Sequence, residues 1–214
     1  DNELGDFIAM IEHSRKAIDL FPNQALLYVL NAVAHIQQKD YEQALKVLAE
    51  GDTYVVGNNS LQAQFEMYRA ESYYNLNRHT EAFEAFEKVL TLDPTNMVAM
   101  NNYAYYLSER GEQLEKAEKM SSTVIQAHPD NSTYLDTHAW VLFRKKEYRL
   151  AKFYMETALR NGGNESAVIV EHYGDILFML NDLEGALKHW NQALELGSDS
   201  ENLKKKIEQK KYIE

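Results

Sequence analysis

The chain has 214 residues, of which 45% are hydrophobic, and a formal net charge of −11. This acidic balance leaves no surplus of Lys and Arg to displace counterions from nucleic-acid phosphates, so the composition argues against general DNA or RNA binding. Because there is no Cys, the chain has no disulfide, no thiol nucleophile and no thiolate metal site.

The first element in chain order is a single helix over residues 1–22. Phe7, Met10 and Ala17 follow helical spacing, and Pro22 closes the pattern. The segment has the character of the second helix of a pair whose first helix is missing. Since the chain also begins at Asp1 rather than Met, we expect the natural protein to continue towards the N-terminus.

Residues 25–200 repeat one pattern, in which two helical stretches are separated by a short polar turn. Two series of small residues keep step through this region, with gaps of 34 to 38 residues. One series is Ala44, Ala82, Ala117, Ala151 and Ala186, and the other is Ala32, Ala70, Ala104, Ala139 and Gly174. A bulky residue follows the first series at Leu48, Phe86, Met155 and Trp190, with Ser121 as the exception.

This period predicts five helix pairs over 25–58, 63–96, 97–131, 132–165 and 167–200, with residues 59–62 as a short insertion. The small residues are expected where the two helices of a pair cross, because a larger side chain would separate them. Residues 201–214 form a polar capping helix, since a bare last repeat would expose its apolar face. No apolar run approaches the roughly 20 residues that a membrane span requires.

Several of these residues resemble the tetratricopeptide repeat. Ala70 with Tyr73, Ala82 with Phe86 and the closing Asp93-Pro94 carry the resemblance. It implies an all-α fold, an α-α superhelix that is a right-handed solenoid of tetratricopeptide helix pairs.

The later repeats are similar to the C-terminal repeats of Bacteroidetes-type tetratricopeptide proteins of the cell envelope, many of them lipoproteins. The residues concerned are the runs 101–107, 134–142 and 171–175. This resemblance implies a bacterial cell-envelope location, facing the periplasm or lipid-anchored through a missing N-terminus. A cytoplasmic location is the alternative.

The sequence offers little for catalysis. It has no Gly-rich phosphate-binding loop, no His-Glu-x-x-His motif and no strand-turn-helix nucleophile elbow around a Ser. His172 and Asp175 lie one helical turn apart and would need a third ligand to bind a metal, so we favour a packing role for His172. We therefore predict no enzyme activity, no catalytic residue, no metal site and no cofactor.

The first helices of such a solenoid line its concave wall, and we expect a partner to bind there. The predicted partner-binding residues are Glu71, Tyr74, Asn101, Tyr105, Asp136, Trp140, Arg144, Glu171 and Asp175. Four acids against one Arg predict a negative groove for a basic, partly apolar peptide or protein segment. Two alternatives stay open: the acids reflect only the acidic composition, and Trp140 fills the seam between neighbouring repeats instead of anchoring a partner.

The function that follows is a non-enzymatic protein-interaction scaffold. A carboxylate clamp of the cochaperone kind is disfavoured, because Met67, Glu71 and Asp136 stand where cations are needed. The alternative function is that of a structural, self-associating component of an envelope assembly. It would associate through the apolar N-terminal edge around Phe7, Met10 and Ile11.

Overall fold

The structure is a computed structural model that describes residues 2–213, with side chains from Asp6 onward. Asp1 and Glu214, the outer ends of the predicted segments 1–22 and 201–214, lie outside the described residues. Within this range the chain forms twelve α-helices and no strand. They are α1 (Asn2–Leu20), α2 (Ala25–Gln37), α3 (Tyr41–Gly51), α4 (Asn59–Asn75), α5 (His79–Leu92), α6 (Met97–Arg110), α7 (Leu114–Ala127), α8 (Ser132–Arg144), α9 (Tyr148–Arg160), α10 (Ala167–Met179), α11 (Leu183–Glu195) and α12 (Glu201–Gln209).

The prediction of an all-α helical-repeat fold is confirmed, since 79% of the chain is helical. Short 3-10 turns occur at Asp52–Tyr54 and Gly163–Glu165. The inserted residues 59–62 extend the first helix of their pair, because α4 begins at Asn59. Asn58 caps this added turn, with its side-chain oxygen accepting a hydrogen bond from the Leu61 N–H at 3.1 Å. Along the described residues, none of the helices is both long and apolar enough to cross a membrane.

The same helix ending recurs at the turn inside each pair. The residue after the helix C-cap takes a left-handed conformation with φ between 59° and 65°. At Lys146, for example, the N–H donates to the Phe143 carbonyl at 2.8 Å, and the next N–H donates to the Leu142 carbonyl at 2.9 Å. These two bonds are those of a Schellman motif, which satisfies carbonyls at the helix end. The equivalent residues are Lys39, Asn77, Gly111, Lys146 and Asn181.

The small residues lie where each pair of helices is in closest contact. The alanines of both series are fully buried. At Gly174 a Cβ atom would stand 2.5 Å from the Trp190 side chain, so no larger residue fits without movement. The bulky residue of α11 has therefore taken the space that a side chain at position 174 would need.

Ser121, the exception in the bulky series, is compensated from the next helix. The Ser121 Oγ lies 2.8 Å from Nδ1 of His138, which extends from α8. Both side chains are buried, and the imidazole also packs edge-on against Tyr154 with ring centroids 4.6 Å apart. Burial lowers the pKa of His138 to about 4, so this histidine is neutral at ordinary pH.

The chain divides into two compact units, one ending at Ala99 and one beginning at Met100. The first unit has a core built from α1 to α4, with Leu48 and Phe65 among its fully buried side chains. The second unit has a larger core around Met155 and Trp190, and this core includes Leu203 of α12.

Candidate functional site

Seven of the nine predicted partner-binding residues belong to the second unit, on the surface we call the first-helix face. It is formed by α8, α10, α12 and residues 100–110 of α6. Two rows of side chains recur on it at intervals of 35 residues. One row is Asn101, Asp136, Glu171 and Lys206, and the other is Tyr105, Trp140 and Asp175.

Lys206 of α12 is held between two acids of α10. Its Nζ donates to the Glu171 Oε1 at 2.8 Å and to the Asp175 Oδ2 at 2.7 Å. The lysine is 4% exposed and Asp175 is 1% exposed, so the charges are paired inside the protein. Asp175 also accepts a hydrogen bond from the Trp190 indole at 2.9 Å. Burial raises the pKa of Asp175, and the Lys206 ammonium opposes this effect.

Trp140 is built into the face rather than projecting from it. Its ring stacks on Phe143 of the same helix, with centroids 4.6 Å apart, and on His172 of α10, with centroids 4.0 Å apart. Its indole N–H donates to the Glu109 carboxylate at 2.6 Å. Since Trp140 is only 5% exposed, it joins neighbouring repeats and does not offer a free indole to a partner.

His172 and Asp136 form a second buried polar contact, with Nδ1 and Oδ1 2.8 Å apart. Burial lowers the pKa of His172, but attraction and hydrogen bonding from Asp136, with Asp175 and Glu109 adding to them, outweigh burial and raise it overall. His172 and Asp175, the two residues considered above as metal ligands, bond to Asp136 and Lys206 respectively. Over the described part of the chain, no three His, Asp or Glu residues form a group suited to a metal ion.

The C-terminal tail, residues 210–213, returns to this face after α12. Lys210 ends the helix in a left-handed conformation with φ of 52°. The Tyr212 ring then lies 5.7 Å from the Phe143 ring, and the Lys206 Nζ lies 5.3 Å from the Tyr212 ring centroid. A pocket of about 220 Å³ lies beside the tail. Its lining includes Tyr105, Glu109, Trp140, Arg144, Glu171, Asp175, Tyr212 and Ile213.

A second pocket, of about 240 Å³, lies next along the face between α6 and α8. Asn101, Tyr105 and Asp136 line it, together with Asn102 and Thr137. The Asn101 Oδ1 is buried and has no hydrogen-bond partner, although its amide nitrogen donates to Asn102 at 3.3 Å. Predicted residues from three repeats thus line two adjacent pockets of one face.

Glu71 and Tyr74, the remaining predicted residues, lie on α4 in the first unit. Glu71 is partly buried, and burial raises the pKa of its carboxyl group. The Tyr74 ring packs edge-on against His79, with centroids 4.9 Å apart.

The expected open row of acids requires a correction in the second unit. Asp136 and Asp175 are buried, and Asp136, Glu171 and Asp175 are bonded to His172 or Lys206 of this same chain. The physical reason is that a carboxylate turned into the wall of the repeat must have a partner there, because an unpaired buried charge is costly. Much of the negative potential predicted for a partner is therefore neutralised internally.

Three contributors to the site were missed from the sequence: Glu109, Lys206 and the Tyr212 tail. The period contained a signal for Lys206, which follows Glu171 by 35 residues, the interval that separates Asp136 from Glu171. It contained none for Tyr212, because the tail follows the last helix and has no counterpart in the repeats.

Comparison with known proteins covers both the sequence and the fold. Models of the tetratricopeptide repeat match residues 63–96 and residues 85–119. No curated protein matches the sequence significantly. A solved structure of MamA from Desulfovibrio magneticus RS-1 is 21% identical, with 82% of this chain and 97% of that chain covered and a TM-score of 0.65.

Two further solved structures have the same fold. The APC/C hetero-tetramer Cut9-Hcn1 gives a TM-score of 0.82 at 15% identity over 96% of this chain, which spans 40% of the matched chain. YrrB, described as a TPR protein with an unusual peptide-binding site, gives a TM-score of 0.63 at 16% identity over 93% of this chain and 99% of that chain. The chain therefore contains tetratricopeptide repeats within residues 63–119, and its recurring helix pairs share the fold of these solved structures.

Proposed function

We propose that this chain is a non-catalytic protein-interaction scaffold that binds an extended polypeptide segment on the first-helix face of its second unit. The observation that carries the proposal is the C-terminal tail, which lies against this face outside any helix pair. The face accommodates Tyr212 and Ile213 beside a pocket of about 220 Å³. Because this surface already holds a short non-helical segment, it offers a place where a segment of another chain can bind.

The residues around the pocket supply both contact area and direction. Tyr105 and Arg144 are partly exposed on neighbouring helices, one repeat apart. Tyr and Arg are enriched at the centres of protein interfaces because they combine a large apolar surface with polar groups. Glu109 adds a carboxylate at the rim, where it attracts a basic side chain of the partner.

The relatives support this function by analogy of fold. YrrB is described as having a peptide-binding site, and the Cut9 structure is a hetero-tetramer with Hcn1. Both are similar to this chain at less than 25% identity. The choice of face and the basic, partly apolar partner rest on the residues of this chain.

The experiment is selection of displayed random peptides on the intact chain, followed by binding kinetics on the selected peptides. Tyr105→Ala should raise the Kd of a peptide bound at this face by roughly 30-fold, the effect of losing a hot-spot aromatic. Phe153→Ala is the matched control, because Phe153 is an exposed aromatic of the same unit on α9, a second helix. Peptides that bind both variants as tightly as the wild type would place the binding site elsewhere.

A second function, self-association, is favoured by the exposed apolar side chains near the N-terminal edge. Five large hydrophobic residues between positions 8 and 30 are exposed: Ile8, Leu20, Phe21, Leu26 and Leu30. If they form a contact between copies, Leu26→Glu with Leu30→Glu should shift sedimentation equilibrium towards the monomer. A wild-type chain that stays monomeric at high concentration would reject this function.

The bacterial cell-envelope location is also a proposal, resting on the resemblance of the later repeats. The test is the N-terminal sequence of the intact gene product, inspected for a signal peptide or a lipidation site. A start without either would favour the cytoplasm.

A further inference from the structure

The C-terminal segment is held to the first-helix face in two different ways on either side of Lys210. Upstream, Leu203 and Lys206 are buried, and Lys206 is clamped by Glu171 and Asp175. This half also has a capped start, since the Ser200 hydroxyl accepts a hydrogen bond from the Leu203 N–H at 3.2 Å. Helix α12 is therefore a fixed part of the second unit.

Downstream of Lys210 the segment is partly exposed and lies outside regular secondary structure. The Lys211 N–H donates to the Lys206 carbonyl at 3.2 Å, which turns the chain back towards α8. The Tyr212 ring then meets Phe143, and Ile213 lines the pocket next to it. Moving residues 211–213 away would require no break in α12 and would leave the Lys206 clamp intact.

The surface under the tail has a defined chemistry. Phe143 is stacked on Trp140, so the tail packs on an aromatic pair held by neighbouring repeats. Glu109 and Arg144 line the adjoining pocket together with Trp140 of this pair. The tail itself has two lysines followed by an aromatic and an aliphatic residue, Lys210-Lys211-Tyr212-Ile213.

We propose that residues 211–213 are a displaceable occupant of the partner site, and that the partner presents a basic residue followed by an aromatic and an aliphatic one. This inference rests on the proposed function and specifies its partner. The aromatic residue of the partner takes the place of Tyr212 on Phe143, and its basic residue lies near Glu109, since Glu171 stays bonded to Lys206. Helix α12 stays docked throughout. Affinity for the partner is then reduced by the fraction of time that the tail covers the site.

The test uses the intact chain and a fluorescent peptide with the sequence of residues 206–213, Lys-Ile-Glu-Gln-Lys-Lys-Tyr-Ile. Its Kd is measured for the wild type and for a variant with Tyr212→Ser and Ile213→Ser. A tail that covers the site about 90% of the time lowers the apparent affinity about tenfold, so the variant should bind about tenfold more tightly. A peptide with Ser at the two final positions is the control and should bind neither protein.

Two further measurements separate the outcomes. Adding Phe143→Ala to the tail variant should abolish peptide binding, whereas adding Phe153→Ala should not. In wild-type protein with a labelled Ile213 methyl group, saturating peptide should move that resonance to its random-coil position. Equal Kd values for wild type and tail variant, with binding still dependent on Phe143, would overturn the displacement and leave the proposed function standing. If the test peptide binds neither the wild type nor the tail variant, the displacement is overturned. The proposed function is overturned by a separate result, namely that no peptide selected by display binds more weakly to Tyr105→Ala.

Discussion

Replacing Lys206 with Met tests whether the buried ion cluster fixes α12 to the second unit. Met retains most of the aliphatic length of Lys, so the packing around the side chain is largely preserved. Among the described residues, Lys206 carries the one positive charge within 3 Å of the two acids of α10. Its Nζ lies 2.8 Å from the Glu171 carboxylate and 2.7 Å from the Asp175 carboxylate, and the substitution removes this charge. Asp175, 1% exposed, is then left as an uncompensated buried charge.

The size of the effect follows from that burial. Removing one partner of a buried ion pair destabilises a protein by about 3–5 kcal/mol, because the other charge stays desolvated. Glu171 keeps some contact with solvent and Asp175 can take up a proton, so we expect about 3 kcal/mol at pH 7. Adding Asp175→Asn removes the stranded charge while keeping an acceptor for Trp190. The double variant should therefore recover most of the loss.

The assay is urea unfolding followed by tryptophan fluorescence at several pH values. Both tryptophans of the chain, Trp140 and Trp190, lie in the second unit, so the signal reports that unit alone. In the variant the pKa of Asp175 is raised in the folded state without Lys206 to oppose it. The folded state then binds a proton more readily than the unfolded state, so the loss should shrink as pH falls through that folded pKa.

Lys204→Met is the matched control, because Lys204 lies on the same helix with an exposed side chain paired to Glu201. It should unfold at the wild-type urea concentration. A Lys206→Met variant as stable as this control, or a double variant less stable than the single one, would refute the account of a stranded Asp175.

Three further perturbations test the repeat itself, each by the same unfolding assay. Gly174→Ala should cost roughly 1–3 kcal/mol, because the added Cβ would stand 2.5 Å from Trp190; an unchanged midpoint would mean that this seam is loose. Lys146→Gly should stabilise the protein by about 0.5 kcal/mol. Gly takes the left-handed φ of 65° without strain, and this gain exceeds the extra backbone entropy that Gly loses on folding. A destabilised variant would show that Lys146 is not strained at this position. The pKa of His138 is lowered to about 4 in the folded state, so the unfolded state binds a proton first as the pH falls from 6.5. The free energy of unfolding should therefore fall by up to about 3 kcal/mol over this pH range. The His138→Gln variant should lack this pH-dependent loss of stability. The pKa of His172 is raised in the folded state, so its contribution to stability is fully present below pH 6.5 and does not hide the loss.

The fold could be predicted from the sequence because small residues repeat with the geometry of a helix pair. A fully buried alanine in a close-packed helix pair cannot be replaced by a larger residue, so the series Ala32, Ala70, Ala104 and Ala139 marks where the two helices of each pair pack together. The turns could also be predicted from their short polar runs, although Lys39 and Lys146 adopt left-handed conformations that Gly or Asn usually takes. Ser121 could not be explained from its own repeat, because His138 of the following helix supplies the missing volume.

The site was predicted less completely, since helical spacing places a residue on a face without fixing what its side chain contacts. Tyr105, Arg144 and Glu171 do line one pocket. Trp140, by contrast, was equally suited to anchor a partner or to fill a seam, and only the positions of Phe143 and His172 decide that it stacks between them. Partners that come from another helix are set by tertiary packing, which one repeat alone does not encode.

The position of Lys206 links the end of the repeats to the character of the partner site. A helix that follows the last pair occupies the place where another first helix would stand, so it meets the acids that α10 presents to its neighbour. Lys206 falls on the same row as Asn101, Asp136 and Glu171 and supplies the opposite charge. Because this lysine already satisfies Asp175, a partner gains little there from charge. We therefore expect Phe143, on which Tyr212 of the tail packs, to determine how long a partner stays bound. The rim carboxylate of Glu109 should affect mainly how fast the partner arrives.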